Sequence, residues 1–282
     1  MEFVEEQGKK SHSQCSTLLL PALSIGNVGQ LAVDLMISTT KAERIGFLDD
    51  PNVLPCVGND AYGPLPVGLL NLPLEVYELE ANELTFVQQR SPVVKGMMLQ
   101  FAKNLADFAV AAGKKHVILL SSLDFGQWQR VDMSSGMQIH YLSSSNADGS
   151  DEDCEKLGWK KLQEYNPSQK RWQYLQTVAE GTNVEEDALP SDDDMDEEED
   201  YHASLPFAAL FSCFKARGLT VTCLLCYCSE GDNIADSINL ASAACKVLEQ
   251  KPNSVPISGD GGWIIPLSWK SVYGPPPDMS MF

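Results

Sequence analysis

The 282-residue sequence predicts a three-layer α/β/α sandwich around a mostly parallel sheet. Three observations lead there. The apolar runs Ser16 to Ser24 and Lys115 to Ser122 have strand length and no polar alternation, as strands covered on both faces do. Segments with apolar residues at a 3.6-residue period lie between such runs. Strands and helices alternate along the chain, the order of an α/β sheet with helices on both sides. At 44% hydrophobic residues, the composition is rich enough for one sizeable core.

The elements follow in order. After the first run, Asn27 is placed to cap a helix with Val28, Leu31, Leu35 and Thr39 on one face. Arg44 to Leu48 and Val53 to Val57 read as short strands before the Gly- and Pro-rich loop Gly58 to Pro73. Leu74 to Leu79 and Leu84 to Arg90 form a hairpin turning near Ala81-Asn82. From Val93 to Ala112 the stripe Val94, Met98, Phe101, Leu105, Phe108 and Ala112 predicts a core-facing helix stopped by Gly113. Asp124 to Ser150 is polar and irregular. A helix from Leu205 to Ala216 and a strand from Leu219 to Tyr227 come next. The last helix is capped by Asp232 or Asn233, turns Ile234, Ile238, Ala241, Cys245 and Leu248 inward, and ends before Pro252. The expected organisation is a flexible N-terminus (1–14), one domain (15–273) with a disordered acidic insertion at about 182–202, and an extended tail (274–282).

Net charge is −19, which argues against nucleic acid or an anionic membrane as partner, since phosphate binding draws its affinity from Lys and Arg. Much of that charge is local: EEDALPSDDDMDEEED, from Glu185 to Asp200, carries 11 acidic residues and no basic one. Such a stretch buries too little apolar surface to repay its ordering entropy. No apolar run approaches the roughly 18 to 20 residues that span a bilayer. The N-terminus lacks the basic flank and apolar stretch of a signal peptide. Eight irregularly spaced cysteines then read as reduced thiols, and the expected location is the cytoplasm, with the nucleus also open.

Candidate chemistry is sparse. The Gly26 to Gly29 turn, between a strand and a helix, could offer backbone N–H groups to a phosphate. It lacks the Lys-Ser/Thr of a P-loop and the third glycine and acidic residue of a dinucleotide site, so it reads as a packing turn. Cys223, Cys226 and Cys228 share a strand, where alternation puts Cys223 on one face and the other two on the opposite face, which spoils a tetrahedral metal site. His12, His116, His140 and His202 form no HExxH or closely spaced pair, so no metal or cofactor is expected. Ser122 and Asp124 end a strand where α/β sheets place catalytic groups, with His140 as a third member, but no G-x-S-x-G elbow surrounds either Ser121 or Ser122. The reading is a binding protein and not an enzyme. The rivals are a hydrolase or phosphorylase-like enzyme using Ser122, Asp124 and His140, or an acidic chaperone for basic proteins that works through Glu185 to Asp200.

Four stretches carry a resemblance: LLLPALSIGNVGQLAVDLMIST, VGNDAYG, the helix and strand ending in KHVILLSS, and CYCSEGDNIADSINLA. Together they resemble the PAC2 family of proteasome assembly chaperones, from about Thr17 to the C-terminus. Its motif positions here are Gly26, Asn27, Gly29 and Gln30, with Glu230, Gly231, Asp232 and Asn233. The resemblance implies a fold similar to nucleoside phosphorylases without their activity. It also implies a heterodimer with proteasome assembly chaperone 1 that caps the α-ring, gathers α subunits, notably the fifth and seventh, and blocks premature ring dimerisation. Family tails end in a hydrophobic, tyrosine, any-residue pattern that docks between α subunits. This chain ends in Ser280, Met281 and Phe282, so only weak apolar anchoring by Met281 and Phe282 is expected.

Overall fold

A computed structural model describes residues 1–12, 14–63, 69–127, 139–181, 197–249 and 262–271. The strands are β1 (Glu2–Glu5), β2 (Thr17–Pro21), β3 (Glu43–Asp49), β4 (Leu74–Leu79), β5 (Leu84–Gln89), β6 (His116–Asp124), β7 (Ile139–Ser143), β8 (Lys160–Lys161) and β9 (Thr220–Cys228). The α-helices are α1 (Val28–Thr40), α2 (Met98–Ala111), α3 (Glu152–Lys156), α4 (Lys170–Glu180), α5 (Glu197–Ser204), α6 (Pro206–Ala216) and α7 (Ile234–Glu249). The strands form one sheet in the order β1-β3-β4-β5-β2-β6-β9-β7-β8. Its centre, β5-β2-β6-β9, is parallel throughout. Antiparallel strands flank it, with β4 beside β5 and β7 beside β9.

Alternation along the central strands builds two cores. Leu18, Leu20, Val117, Leu119, Val221 and Cys223 face α2, α4 and α6, where they meet Phe101, Trp172 and Phe211. Leu19, Ile118, Leu120, Leu224 and Cys226 face α1 and α7, where they meet Val33, Met36, Leu240 and Ala244. Each fully buried Leu or Ile is worth about 1.5–3 kcal/mol, so neither helical layer can be lifted off cheaply. The three-layer sandwich expected from the sequence is thus present, and its parallel strands are the ones covered on both faces.

Several local expectations need correction. Asn27 stands at the N-cap of α1, but its φ of +53° is left-handed and its side chain makes no capping bond. Val53 to Val57 is not a strand: Asn52 N donates to Asp50 Oδ1 at 2.8 Å, and the turn leaves Val53 only an isolated bridge to Val93. The helix expected from Val93 begins at Met98, because Val94 N is spent on Asn52 O and Gly96 has φ +82°. Within the stretch expected to be irregular, Ile139–Ser143 pairs antiparallel with β9. Residues 2–5, expected to be flexible, pair with β3 as an edge strand. Glu197–Ser204, overlapping the expected disordered insertion, is helical, and residues 182–196 of that insertion lie outside the described residues. Among the described residues no helix is long and apolar enough to cross a membrane.

Candidate functional site

The two glycine-containing motifs meet at the carboxyl end of β2, β6 and β9. The chain leaves β2 and turns through Gly26, at φ +63°. A Cβ on Gly26 would lie 2.5 Å from Asn233 Oδ1, and one on Gly29 would collide with the Leu120 carbonyl oxygen. Both glycines are therefore close-approach positions, as the sequence reading of a packing turn requires. The Ser122 hydroxyl donates to Ile25 O at 2.6 Å and locks the turn to β6. Asn233 is buried; its Nδ2 donates to Ser229 O and to Asp236 Oδ2, both at 2.9 Å. Ile234 N donates to Asp232 Oδ1 at 3.2 Å, and Ser237 N to Asn233 O at 2.9 Å, which starts α7. Glu230, Gly231, Asp232 and Asn27 are exposed around this knot. Gln30 is half-buried, and its backbone carbonyl accepts from Gln88 Nε2 at 2.9 Å.

The groups of the enzymatic alternative do not assemble. Ser122 is committed to Ile25, and Asp124 Oδ1 accepts from Gly126 N at 2.9 Å as a turn former does. His140 lies on β7, and β9 runs between it and β6, which puts the two strands about 9.5 Å apart. His140 stacks edge-on against Tyr227. Cys223 faces one core while Cys226 and Cys228 face the other. Burial pushes all three thiols up from their ordinary pKa. All eight cysteines are free.

The VGNDAYG loop between β3 and β4 is different in kind. Beneath it Arg90 donates to Glu75 Oε2 at 2.5 Å, to Asp34 Oδ1 at 3.1 Å and to the Tyr62 hydroxyl at 3.0 Å. Arg44 donates to Glu75 Oε1 at 2.9 Å and to Leu70 O at 2.8 Å. Burial alone would lower the pKa of Arg90, but Asp34, Tyr62 and Glu75 outweigh it and raise the value. Tyr62, raised well above its usual range first by burial and then by Asp34, stays a neutral donor to Asp34 Oδ1. On this base Gly58 and Asn71 exchange two backbone hydrogen bonds, an antiparallel pair that ties the Val57 end of the loop to the Leu70 end. Leu54, Val57, Leu69 and Leu70 are 45–67% exposed. Large apolar side chains exposed on a pinned loop make it a candidate interaction surface. The sequence places a Gly- and Pro-rich loop here whose VGNDAYG stretch carries the family resemblance, and the apolar run LLNLP after it is the signal for an exposed apolar surface.

Residues 64–68 of that loop and the tail residues Met281 and Phe282 lie outside the described residues. On the opposite face an open groove of about 590 Å³, its mouth included, runs between α4 and α6 beside Tyr165, Trp172 and Lys215, away from both motifs.

Comparison with known proteins gives the family and the fold. A family model described as the PAC2 family matches residues 18–253. Proteasome assembly chaperone 2 of Nematostella vectensis is 37% identical over 232 residues, covering 79% of this chain and 85% of its own. Proteasome assembly chaperone 2 of Danio rerio is 29% identical over 269 residues, covering 92% and 91%. Among solved structures, Pyrococcus furiosus PbaA, an archaeal homolog of proteasome-assembly chaperone, superposes with a TM-score of 0.56 at 16% identity, covering 91% of this chain and 89% of its own. PbaB of the same organism, an archaeal proteasome activator, gives 0.52 at 16% identity with 89% and 90% covered. Those two show the fold alone, whereas the family model and the relatives match the sequence itself. The chain belongs to the PAC2 family.

Proposed function

We propose that this chain is a proteasome assembly chaperone that pairs with proteasome assembly chaperone 1, and that the pair caps the α-ring, gathers α subunits including the fifth and seventh, and blocks premature ring dimerisation. The observation that carries the reading is the family match over residues 18–253. Among the described residues, the carboxyl end of the central strands carries packing contacts between Gly26 and Asn233 and between Ser122 and Ile25, and Ser122, Asp124 and His140 do not assemble there, which supports binding over catalysis. The chaperone pair is the long-lived contact, and long-lived interfaces are the more apolar ones. Leu54, Val57, Leu69 and Leu70 are therefore assigned to the sister chaperone. Met281 and Phe282 add weak anchoring on the ring, the acidic insertion is dispensable for pairing, and the pair works in the cytoplasm, with the nucleus also open to it. The test is reconstitution from purified α subunits with and without the chaperone pair. More rings and fewer ring dimers support the reading, and equal yields reject it. Deleting Met281 and Phe282 should weaken ring binding slightly; unchanged affinity rejects the tail contact.

A further inference from the structure

The segment SHSQC before β2 crosses the end of β4 and carries His12 and Cys15 three residues apart. Cys15 N donates to His12 O at 3.0 Å, a turn that brings the two side chains to the same side. Glu78 of β4 meets them there. Its Oε2 accepts from His12 N at 2.8 Å and lies 2.9 Å from His12 Nδ1. The donor atoms of His12, Cys15 and Glu78 all lie within 4.8 Å of one another. Ligands around a tetrahedral zinc stand about 3.3–3.8 Å apart, so adjustments of about 1 Å would close the set. His12, on an exposed turn, has that freedom. The other carboxylate oxygen is already oriented: Glu78 Oε1 accepts from Ser11 Oγ at 3.0 Å and from Thr85 Oγ1 at 3.2 Å. Such outer bonds fix a carboxylate for metal binding.

The local charge favours a dication. Glu43, Glu78, Glu80 and Glu83 act on His12 or Cys15, against the ammonium groups of Lys9 and Lys114. Lys114 is buried, 3.8 Å from Glu78, and donates to Cys15 O and Thr85 Oγ1. It offsets one carboxylate and leaves the cluster short of about two positive charges. The same field raises the pKa of His12, chiefly through its hydrogen bond to Glu78. Cys15 is buried between Glu78 and Lys114, and it binds a metal only as the thiolate.

We propose that His12 Nδ1, Cys15 Sγ and Glu78 Oε2 bind a zinc ion, with water in the fourth position, and that the ion clamps the N-terminal segment to the C-terminal end of β4. A His, Cys and carboxylate set of borderline softness suits zinc among the divalent ions. On binding, the Cys15 S–H bond and the His12 Nδ1–H bond to Glu78 both break, sulfur–zinc and Nδ1–zinc bonds form, the thiol proton leaves to solvent, and the Nδ1 proton leaves to solvent or moves to Nε2, so that the ring binds as its Nε2–H tautomer. The site does not depend on the chaperone reading.

The test uses the full chain freed of metal by chelator, with Co2+ as the optical probe and Zn2+ as competitor. One equivalent of Co2+ should give the near-ultraviolet band of a thiolate–cobalt bond, and Zn2+ should abolish it. Cys15→Ser should eliminate the band, and His12→Ala, on the exposed turn, should weaken Co2+ binding by about 10- to 100-fold. Cys56→Ser, which alters the one exposed cysteine, should keep both band and affinity. At a hundredfold excess over the native Kd, Zn2+ should raise Tm by about 5 °C in the native chain and by only about 1–2.5 °C in His12→Ala at the same concentration. The proposal is overturned by the absence of a band at stoichiometric Co2+, by its survival in Cys15→Ser, or by its loss in Cys56→Ser. If Cys15→Ser does not fold, the His12→Ala titration decides alone, and unchanged affinity there rejects the site.

Discussion

At the carboxyl end of β2, β6 and β9, the groups face one another. Gly26 abuts Asn233, Ser122 holds the Ile25 carbonyl, and Gly29 leaves no room between α1 and Leu120. On the loop between β3 and β4 the arrangement is reversed: the charges are buried beneath, in Arg90, Asp34 and Glu75, and Val57, Leu69 and Leu70 point outward. The first region uses its motif to seal the place where this architecture ordinarily takes ligands, and the second uses ion pairs to hold apolar groups in water. Work done by a surface needs the second plan. It also needs the first, because an open crevice would give the layers less to pack on.

The difference can be broken from either side. The largest effect is expected from Arg90→Ala, which leaves Asp34 and Glu75 buried without their shared cation. We expect a loss of about 3–5 kcal/mol in urea unfolding, because removing one member of a buried ion network strands the others. A loss below about 1 kcal/mol would mean that the network does not carry the loop. Gly29→Ala should come next, at about 1–3 kcal/mol, since the methyl group meets backbone and not a movable side chain. Leu70→Asp should behave in the opposite way. Stability should change by less than about 0.5 kcal/mol, while affinity for the sister chaperone falls about tenfold or more, which is about 1.4 kcal/mol. Equal affinity by calorimetry would remove the loop from the interface.

A smaller effect concerns α5. His202 is buried, and burial lowers its pKa below 6.5 while Glu164 acts to raise it. The unfolded chain therefore takes up a proton before the folded one does, so stability falls as pH drops from 6.5 through the lower folded value. The difference in Tm between the native chain and His202→Gln should be constant above pH 7 and should shift against the native chain toward pH 5.5. A pH-independent difference would contradict the assignment.

The parallel centre was legible because Leu18 to Leu20 and Val117 to Leu120 are apolar on both faces, which only a doubly covered strand allows. The segment from Ile139 to Glu180 was not. Ile139–Ser143 is five residues among serines, and α4 shows its apolar face only through Trp172, Leu175 and Ala179 within a polar helix. The glycine turn was readable as a packing device, but its counterpart Asn233 lies more than 200 residues later and no local pattern joins them. The ion network beneath the loop was hidden for the same reason, since Asp34, Glu75 and Arg90 come from three separate elements. His12 and Cys15 were visible as residues, and only the fold brings Glu78 to them.

The central claim is that the chain works by pairing through a surface. Co-expression with proteasome assembly chaperone 1, followed by native mass measurement of the native chain and of Leu70→Asp, tests it most directly. The account predicts a one-to-one heterodimer that survives deletion of Glu185 to Asp194 and weakens in Leu70→Asp. A native chain that remains alone at its own 30.9 kDa mass would contradict it.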